Sequence, residues 1–201
     1  MTAAGKPPVP RARRPLPREV RLIGGSWRGR KLPVADRPGL RPTPDRVRET
    51  LFNWLGQTLT GWRVLDAFAG SGALGFEAAS RGAAEVLLLE RDPVLAAGLK
   101  ASQHRLQAET VRVVGADAMA WMARCPPAGF ELVLLDPPFD GGLSASAVAA
   151  AAPLLAPGGW LYLESARPLD ELPAGLIEHR RLRAGAVSAQ LLRAAPGQQV
   201  D

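Results

Sequence analysis

Cysteine and histidine are scarce in this chain of 201 residues. The single cysteine, Cys125, excludes an internal disulfide, and the reducing cytosol is the expected compartment. With only two histidines besides, we expect no zinc site built by the protein and no other metal. No apolar run approaches the roughly 18 residues that a membrane span requires, and the N-terminus lacks the apolar segment of a secretory signal. The composition therefore predicts a cytoplasmic protein with no membrane partner.

Negative charge is scarce in the first quarter of the chain. Residues 1–48 hold 13 Lys/Arg against 3 Asp/Glu, whereas residues 49–201 hold 12 against 16. This asymmetry predicts a polyanionic partner, most simply nucleic acid, although a solvated basic tail would give the same pattern. Residues 1–19 are rich in proline and arginine and are expected to be disordered. Residues 20–42 are expected to form a small basic β-hairpin extension.

The main domain, residues 43–201, is expected to be an α/β fold. Thr43 is the expected N-cap of its first helix, with Pro44 at the first helical position. Strand patterns and helix patterns then alternate, which predicts a mostly parallel sheet with helices on both faces. The residues from 175 to 195 read as two antiparallel strands at a sheet edge, turning near Ala184, and complete a seven-stranded sheet. The strands are expected at 63–67, 85–90, 111–115, 131–135 and 159–164, and the helices at 72–81, 93–107, 116–123 and 145–155.

A glycine-rich loop follows the first strand of the predicted sheet. Gly70, Gly72 and Gly75 match G-x-G-x-x-G between a strand and a helix. Glycine there lets the backbone approach a ligand closely, and the helix N-terminus offers free N–H groups. Glu90 ends the next strand, 20 residues after Gly70, where a carboxylate can accept both hydroxyls of a ribose. The spacing predicts a cofactor that carries adenosine.

Asp66 distinguishes among the adenosine cofactors. It ends the strand just before the glycine loop, where its charge would repel the pyrophosphate of a dinucleotide. A cofactor without phosphate and with a cationic amino-acid end is favoured, and S-adenosylmethionine fits this description. Asp117, after the third strand, could accept a hydrogen bond from the adenine amino group, or could serve only as the N-cap of the next helix.

The motif Asp-Pro-Pro-Phe, residues 136–139, ends the fourth strand. Ligands of open α/β sheets bind beyond the carboxyl ends of the strands, so the motif is expected to face the cofactor. An exocyclic amine of a base is a poor nucleophile because its lone pair is delocalised into the ring. Asp136 and the carbonyl of Pro137 can orient its N–H groups, while Pro138 stiffens the turn and Phe139 offers a face for stacking. The motif predicts methyl transfer to an amine, mainly by positioning.

These motifs resemble a known group of enzymes. The stretches "LDAFAGSGALGFEAASRGA", "LLLERD" and "LLDPPF" resemble class I S-adenosylmethionine-dependent methyltransferases that act on exocyclic amines. With "RLIGGSWRGRKLPV" and "GLRPTPDRVRETLFNWL", residues 20 to 194 resemble the RsmD family, the 16S ribosomal RNA guanine-N2 methyltransferases. The resemblance implies a Rossmann-like methyltransferase fold and a monomer. It also implies that the acceptor is the N2 amine of one guanine in an assembled or nearly assembled small ribosomal subunit.

Individual residues take candidate roles from the motifs and from the resemblance. The candidate catalytic residues are Asp136, Pro137, Pro138 and Phe139. The candidate cofactor-binding residues are Asp66, Phe68, Gly70, Ser71, Gly72, Glu90, Arg91, Asp117, Ala118, Arg41 and Thr43, of which the family resemblance places Arg41 and Thr43 in a segment that closes over cofactor and target. The candidate RNA-binding residues are Arg21, Arg28, Arg30, Lys31 and Arg46.

Two other functions are compatible with the sequence. A DNA amino-methyltransferase, or an RNA amino-methyltransferase of other specificity, could use the same catalytic motif. The chain shows no obvious second domain that would read a DNA duplex. A non-catalytic RNA-binding factor for ribosome assembly would bind RNA and transfer no methyl group, so a transfer assay distinguishes it.

Overall fold

The structure is a computed structural model that describes residues 19–37, 40, 42–138 and 142–195. An antiparallel hairpin comes first, formed by strands β1 (Glu19–Arg21) and β2 (Lys31–Pro33). Glu19, the last residue of the predicted tail, is already in β1; the rest of that tail lies outside the described residues. The expected basic hairpin is confirmed, with short strands and a turn of 3-10 helix between them.

Helix α1 (Asp45–Trp54) follows the hairpin. Pro44 occupies the N-cap position and no side chain caps the helix, so the predicted N-cap role of Thr43 is wrong. Thr43 is buried, and its carbonyl accepts a hydrogen bond from Nε of Arg48 at 3.2 Å. Its side chain stabilises the carboxylate of Glu164 instead of the helix end. The side chain of Thr43 thus interacts with Glu164, which is distant in the chain, and does not cap α1.

A seven-stranded sheet forms the centre of the molecule, in the order β5-β4-β3-β6-β7-β9-β8. Strands β3 to β7 run parallel, β9 is antiparallel to β7, and β8 pairs with β9 at the edge. The expected fold and the edge hairpin are therefore confirmed. After α1 the elements are β3 (Arg63–Asp66), α2 (Ala73–Ser80), β4 (Glu85–Glu90), α3 (Pro93–Leu106), β5 (Val111–Gly115), α4 (Ala118–Met122), β6 (Phe130–Leu135), α5 (Ser144–Ala151), β7 (Leu155–Ser165), β8 (Leu176–Ala184) and β9 (Val187–Ala194).

One predicted helix ends early. The helix expected at 145–155 is α5, which stops at Ala151 and continues as a 3-10 turn over Ala152–Leu154. Pro153 lies in that turn, and proline cannot donate the backbone hydrogen bond that would extend an α-helix. Strand β7 then begins at Leu155, earlier than the expected residue 159.

Two hydrophobic clusters cover the two faces of the sheet. Alternation along β6 sends Leu132 and Leu134 to the face that packs against α1, α2 and α3. Val133 and Leu135 point to the opposite face, against α4 and α5. Because α-helices cover both faces, the open positions for a ligand lie at the strand ends. Among the residues that the structure describes, no helix has the length and apolar character needed to cross a bilayer.

Candidate functional site

A cavity of about 560 Å³ opens at the carboxyl ends of the parallel strands, a volume typical of small-molecule sites. Gly72, one of the candidates, is buried and does not line the cavity. Arg41 and Phe139, two further candidates, lie outside the described residues. Twelve of the residues predicted for the cofactor and the chemistry line the cavity: Thr43, Asp66, Phe68, Gly70, Ser71, Glu90, Arg91, Asp117, Ala118, Asp136, Pro137 and Pro138.

The glycine loop brings helix α2 against the end of β3. Gly72 has a φ of 77°, which favours glycine, and a Cβ at this position would lie 2.6 Å from side-chain carbons of Leu99 and Phe76. A Cβ on Gly75 would overlap the side chain of Leu88, so the helix approaches the sheet closely only with glycine here. The N–H of Gly75 donates to Oδ2 of Asp66 at 3.0 Å. The loop therefore fixes Asp66 as well as the backbone around it.

Glu90 is held at the end of β4 by two backbone hydrogen bonds. The N–H of Gly70 donates to its Oε2 at 2.9 Å, and the N–H of Asp92 donates to its Oε1 at 2.8 Å. Each carboxylate oxygen can accept more than one hydrogen bond, so both retain acceptor capacity toward the cavity. This arrangement orients a carboxylate that can accept a pair of neighbouring hydroxyls.

Asp117 acts as the N-cap of α4, because its Oδ1 accepts from the N–H of Ala120 at 2.9 Å. Its side chain is exposed and also lines the cavity, so the cap leaves the second oxygen available. The contact with adenine stays a prediction. Met119 and Leu95 supply apolar surface on the same wall, which the sequence had not indicated as part of the site.

Acidic groups surround the inner end of the cavity. Asp66 is 1% exposed, and its pKa is raised to about 7: burial is the largest cause and the charges of Glu90 and Glu164 add to it, while the Gly75 N–H opposes the shift. Burial, followed by the charges of Glu164 and Asp66, holds the pKa of Asp136 well above its usual range. Neither Asp66 nor Asp136 forms an ion pair within the described ranges. The cavity is thus suited to a ligand that brings positive charge.

Glu164, near the end of β7, belongs to the same acidic group and was not predicted from the sequence. It is 2% exposed, and the hydroxyl of Tyr162 donates to its Oε1 at 3.0 Å. Burial raises its pKa, while hydrogen bonds from Thr43 and Tyr162 and the charge of Arg48 act in the opposite direction. The sequence signal that could have identified Glu164 is a single acid near the end of an apolar strand.

A second buried acid, Glu77, fixes the hairpin to α2 and was also missed. Its carboxylate accepts from the N–H groups of Ile23 at 2.9 Å and Gly24 at 2.8 Å. It pairs with Arg48 at 3.2 Å and with Arg81 at 2.9 Å. The only local signal is a glutamate in the otherwise small and apolar helix "ALGFEAAS".

The five candidate RNA-binding side chains lie outside the cavity, and four of them are on or next to the hairpin. Arg28, Arg30 and Arg46 are exposed. Arg21 lies 3.8 Å from Asp45, and Lys31 pairs with Glu19 at 2.8 Å. Their contact with RNA stays a prediction. Over the described part of the chain, no group of three or more His, Cys, Asp and Glu is arranged to hold a metal ion.

Comparison with known proteins gives consistent matches over most of the chain. Residues 20–193 match the family model described as "Conserved hypothetical protein 95". The chain is 45% identical over 181 residues to ribosomal RNA small subunit methyltransferase D of Escherichia coli (strain K12). The aligned residues cover 86% of this chain and 89% of that protein. It is 47% identical over 148 residues to the protein of the same name from Haemophilus influenzae, covering 71% and 74%.

Solved structures show the same likeness. A putative methyltransferase from Escherichia coli superposes with a TM-score of 0.81 at 40% identity, covering 89% of this chain and 99% of that one. A putative methylase from Haemophilus influenzae gives a TM-score of 0.75 at 36% identity, covering 88% and 99%. The likeness therefore spans nearly the whole of both neighbours, including the strand ends that form the cavity.

Proposed function

The chain belongs to the RsmD family of methyltransferases, and we propose that it transfers a methyl group from S-adenosylmethionine to the N2 amine of a guanine in 16S ribosomal RNA. The observation that carries the proposal is the set of strand-end carboxylates around the cavity, with Asp136 followed by two prolines. The name that the relatives from Escherichia coli and Haemophilus influenzae share, ribosomal RNA small subunit methyltransferase D, supports the choice of RNA.

The chemistry of the cavity fits S-adenosylmethionine. When bound, this cofactor supplies an electrophilic methyl group on a sulfonium and carries a second positive charge on its amino group. Glu90 has acceptor capacity for the ribose hydroxyls, and Asp66 is a buried carboxylate at the place proposed for the cationic end. Leu95, Met119 and Ala118 offer apolar contact to the adenine, with Asp117 beside them. A pyrophosphate at this end of the cavity would instead be repelled by the negative charge of Asp66 and Glu90.

Asp136 and Pro137 would hold the target amine. Asp136 keeps some exposure on the cavity side, and Pro137, which is buried, has a carbonyl and no competing N–H. Two acceptors on one amine orient its lone pair toward the methyl group, so positioning provides most of the rate enhancement. Once the nitrogen has bonded the methyl carbon it becomes strongly acidic, and Asp136 or water can accept its proton.

The hairpin is proposed as the part that binds the RNA backbone. Exposed Arg28 and Arg30 present charge that is not used in ion pairs within the described ranges, which suits binding to phosphate. Neutralising Arg28, Arg30 and Lys31 together should weaken RNA binding and flatten its salt dependence by roughly one unit of slope for each phosphate that the variant no longer neutralises. Filter binding over a salt series measures this slope; a slope equal to the wild type would remove the hairpin from the RNA interface.

A transfer assay tests the function itself. Labelled S-adenosylmethionine is mixed with small-subunit particles from a strain that lacks this protein, and the labelled nucleoside is identified and mapped. We expect N2-methylguanosine at one position of the small-subunit RNA, made by a cytoplasmic, monomeric enzyme. Label in another nucleoside, or in duplex DNA only, would assign a different amino-methyltransferase. RNA binding without any label would assign an assembly factor. Free RNA in a parallel reaction identifies which form is the substrate.

A further inference from the structure

Glu164 has no role in the chemistry described above, although it lies beside Asp136 in the sheet. It is a buried carboxylate near the end of β7 and does not belong to the described residues that line the cavity. A buried acid costs stability unless it is hydrogen-bonded or charge-paired, so a position of this kind calls for a physical explanation.

The register of the sheet places Glu164 next to Asp136. Strands β6 and β7 run parallel, with Leu134 opposite Tyr162 and Leu135 opposite Leu163. The next pair in this register is Asp136 and Glu164. Because side chains alternate along a strand, this pair faces the same side as Leu134 and Tyr162, toward α1 and α2. The two carboxylates are therefore neighbours on one face.

Glu164 also supports the rim of the cavity through Thr43. Its carboxylate accepts from Tyr162 at 3.0 Å and is hydrogen-bonded by the side chain of Thr43, which lines the cavity. The carbonyl of Thr43 is fixed by Arg48, which is itself buried against Glu77. One carboxylate thus joins the end of β7 to the segment that precedes α1.

We propose that Glu164 is a positioning residue for methyl transfer: it anchors Thr43 at the cavity rim and sets the charge that Asp136 faces when the amine binds. The inference rests on the proposed function, because Asp136 is the residue on which it acts. Glu164 touches neither cofactor nor amine in this account and works through its two neighbours.

The charged groups around Asp136 and Glu164 give the direction in which Glu164 changes the pKa of Asp136. Asp66 on β3 and Glu164 on β7 face Asp136, while Tyr162 and Arg48 face Glu164. Burial first and like charge second raise the pKa of Asp136. A protonated Asp136 is a poorer acceptor for the amine N–H than a carboxylate and cannot take up the proton of the methylated amine, so transfer should fall on the acid side. Removing the charge of Glu164 lowers the pKa of Asp136 and extends activity to lower pH.

The rate of a single turnover, measured against pH, tests this role. The acid limb of this profile is the pH range in which the rate falls as the pH is lowered. In Glu164→Gln, which keeps the size of the side chain, we expect the acid limb to move to lower pH by about one unit, as for loss of a close like charge. Tyr162→Phe is the matched control, since it removes a hydrogen bond to Glu164 and leaves the charge. Its acid limb should stay close to that of the wild type, well short of the shift in Glu164→Gln. Glu164→Asp keeps the charge and should keep the acid limb while weakening the anchor on Thr43.

A second readout uses the protein without cofactor or RNA. An acid whose pKa is raised by folding contributes stability that is present below its unfolded pKa, about 4, and is lost as pH rises through the folded value. This contribution to the free energy of unfolding should therefore fall between acid and neutral pH in the wild type and be smaller in Glu164→Gln, so the difference in stability between the two proteins should change over that range.

Two results would overturn the inference. If Glu164→Gln has the acid limb and the pH dependence of unfolding of the wild type, Glu164 does not act on Asp136. If it only lowers the melting temperature and leaves the acid limb in place, the role is purely structural and the proposal is wrong. Failure of the proposed function looks different, because then the wild type transfers no methyl group while the unfolding experiment still reports on Glu164.

Discussion

Glu77 and Asp66 are both buried acids on the same side of the central sheet, yet their surroundings are opposite. Glu77 accepts from two backbone N–H groups and pairs with two arginines, Arg48 and Arg81. Asp66 accepts from the N–H of Gly75 and faces other acids, and its pKa is raised to about 7. A carboxylate with complete partners holds the fold together. A carboxylate with fewer partners, at the inner end of a cavity, is suited to bind a ligand.

This contrast explains how the hairpin and the active site share one framework. Arg48 pairs with Glu77 and also fixes the carbonyl of Thr43 at the cavity rim. The groups that anchor the hairpin are therefore next to the groups that shape the site. The acids proposed for the chemistry, Asp66 and Asp136, form no ion pair with these cations within the described residues, and Arg48 acts only on the neighbouring Glu164.

The largest effect on stability is expected from removing Glu77, the acid that pairs with two arginines. Glu77→Ala removes the carboxylate that two buried arginines share, leaving Arg48 with Asp45 alone as its charged partner, and should lower the free energy of unfolding by about 3–5 kcal/mol. Denaturant unfolding measures it. Glu131→Ala is the control: its pair with Arg63 at 2.8 Å is partly exposed, and about 0–1 kcal/mol should be lost. Equal losses in the two variants would break the contrast between the paired acid and the others.

The ligand-facing acids should instead affect binding. Glu90→Ala removes the acceptor proposed for the ribose and should weaken S-adenosylmethionine binding by about 1–3 kcal/mol. Calorimetric titration gives the dissociation constant. Glu85→Ala, at the exposed start of the same strand, is the matched control and should bind as the wild type. A dissociation constant unchanged in Glu90→Ala would remove this residue from the cofactor site.

A smaller effect is expected on the number of protons released when S-adenosylmethionine binds. Near pH 7 Asp66 is partly protonated in the free protein, because its pKa is about 7. A cationic ligand favours the ionised form, so binding should release roughly half a proton per site at this pH. Calorimetry in buffers of different ionisation enthalpy measures the release, and Asp66→Asn should reduce it. S-adenosylhomocysteine, which lacks the sulfonium charge, should release fewer protons. Binding heats that do not depend on the buffer would contradict a cationic site.

The sequence predicted the sheet and most of the cavity because both depend on local pattern. Apolar runs end at Asp66, Glu90 and Asp136, and parallel strands bring such ends together. The acids Glu77 and Glu164 were missed because their partners are far away in the chain: Ile23 lies 54 residues from Glu77. The local capping rule failed at Thr43 for the same reason, because its side chain is hydrogen-bonded to Glu164, which is distant in the chain.

Asp136→Ala tests the central claim most directly, with cofactor binding and methyl transfer measured on the same preparation. If Asp136 at the end of β6 holds the amine, S-adenosylmethionine still binds to the variant and transfer to small-subunit particles falls by about 10²-fold or more. Transfer near the wild-type rate would contradict the account, because the site would then work without its acceptor.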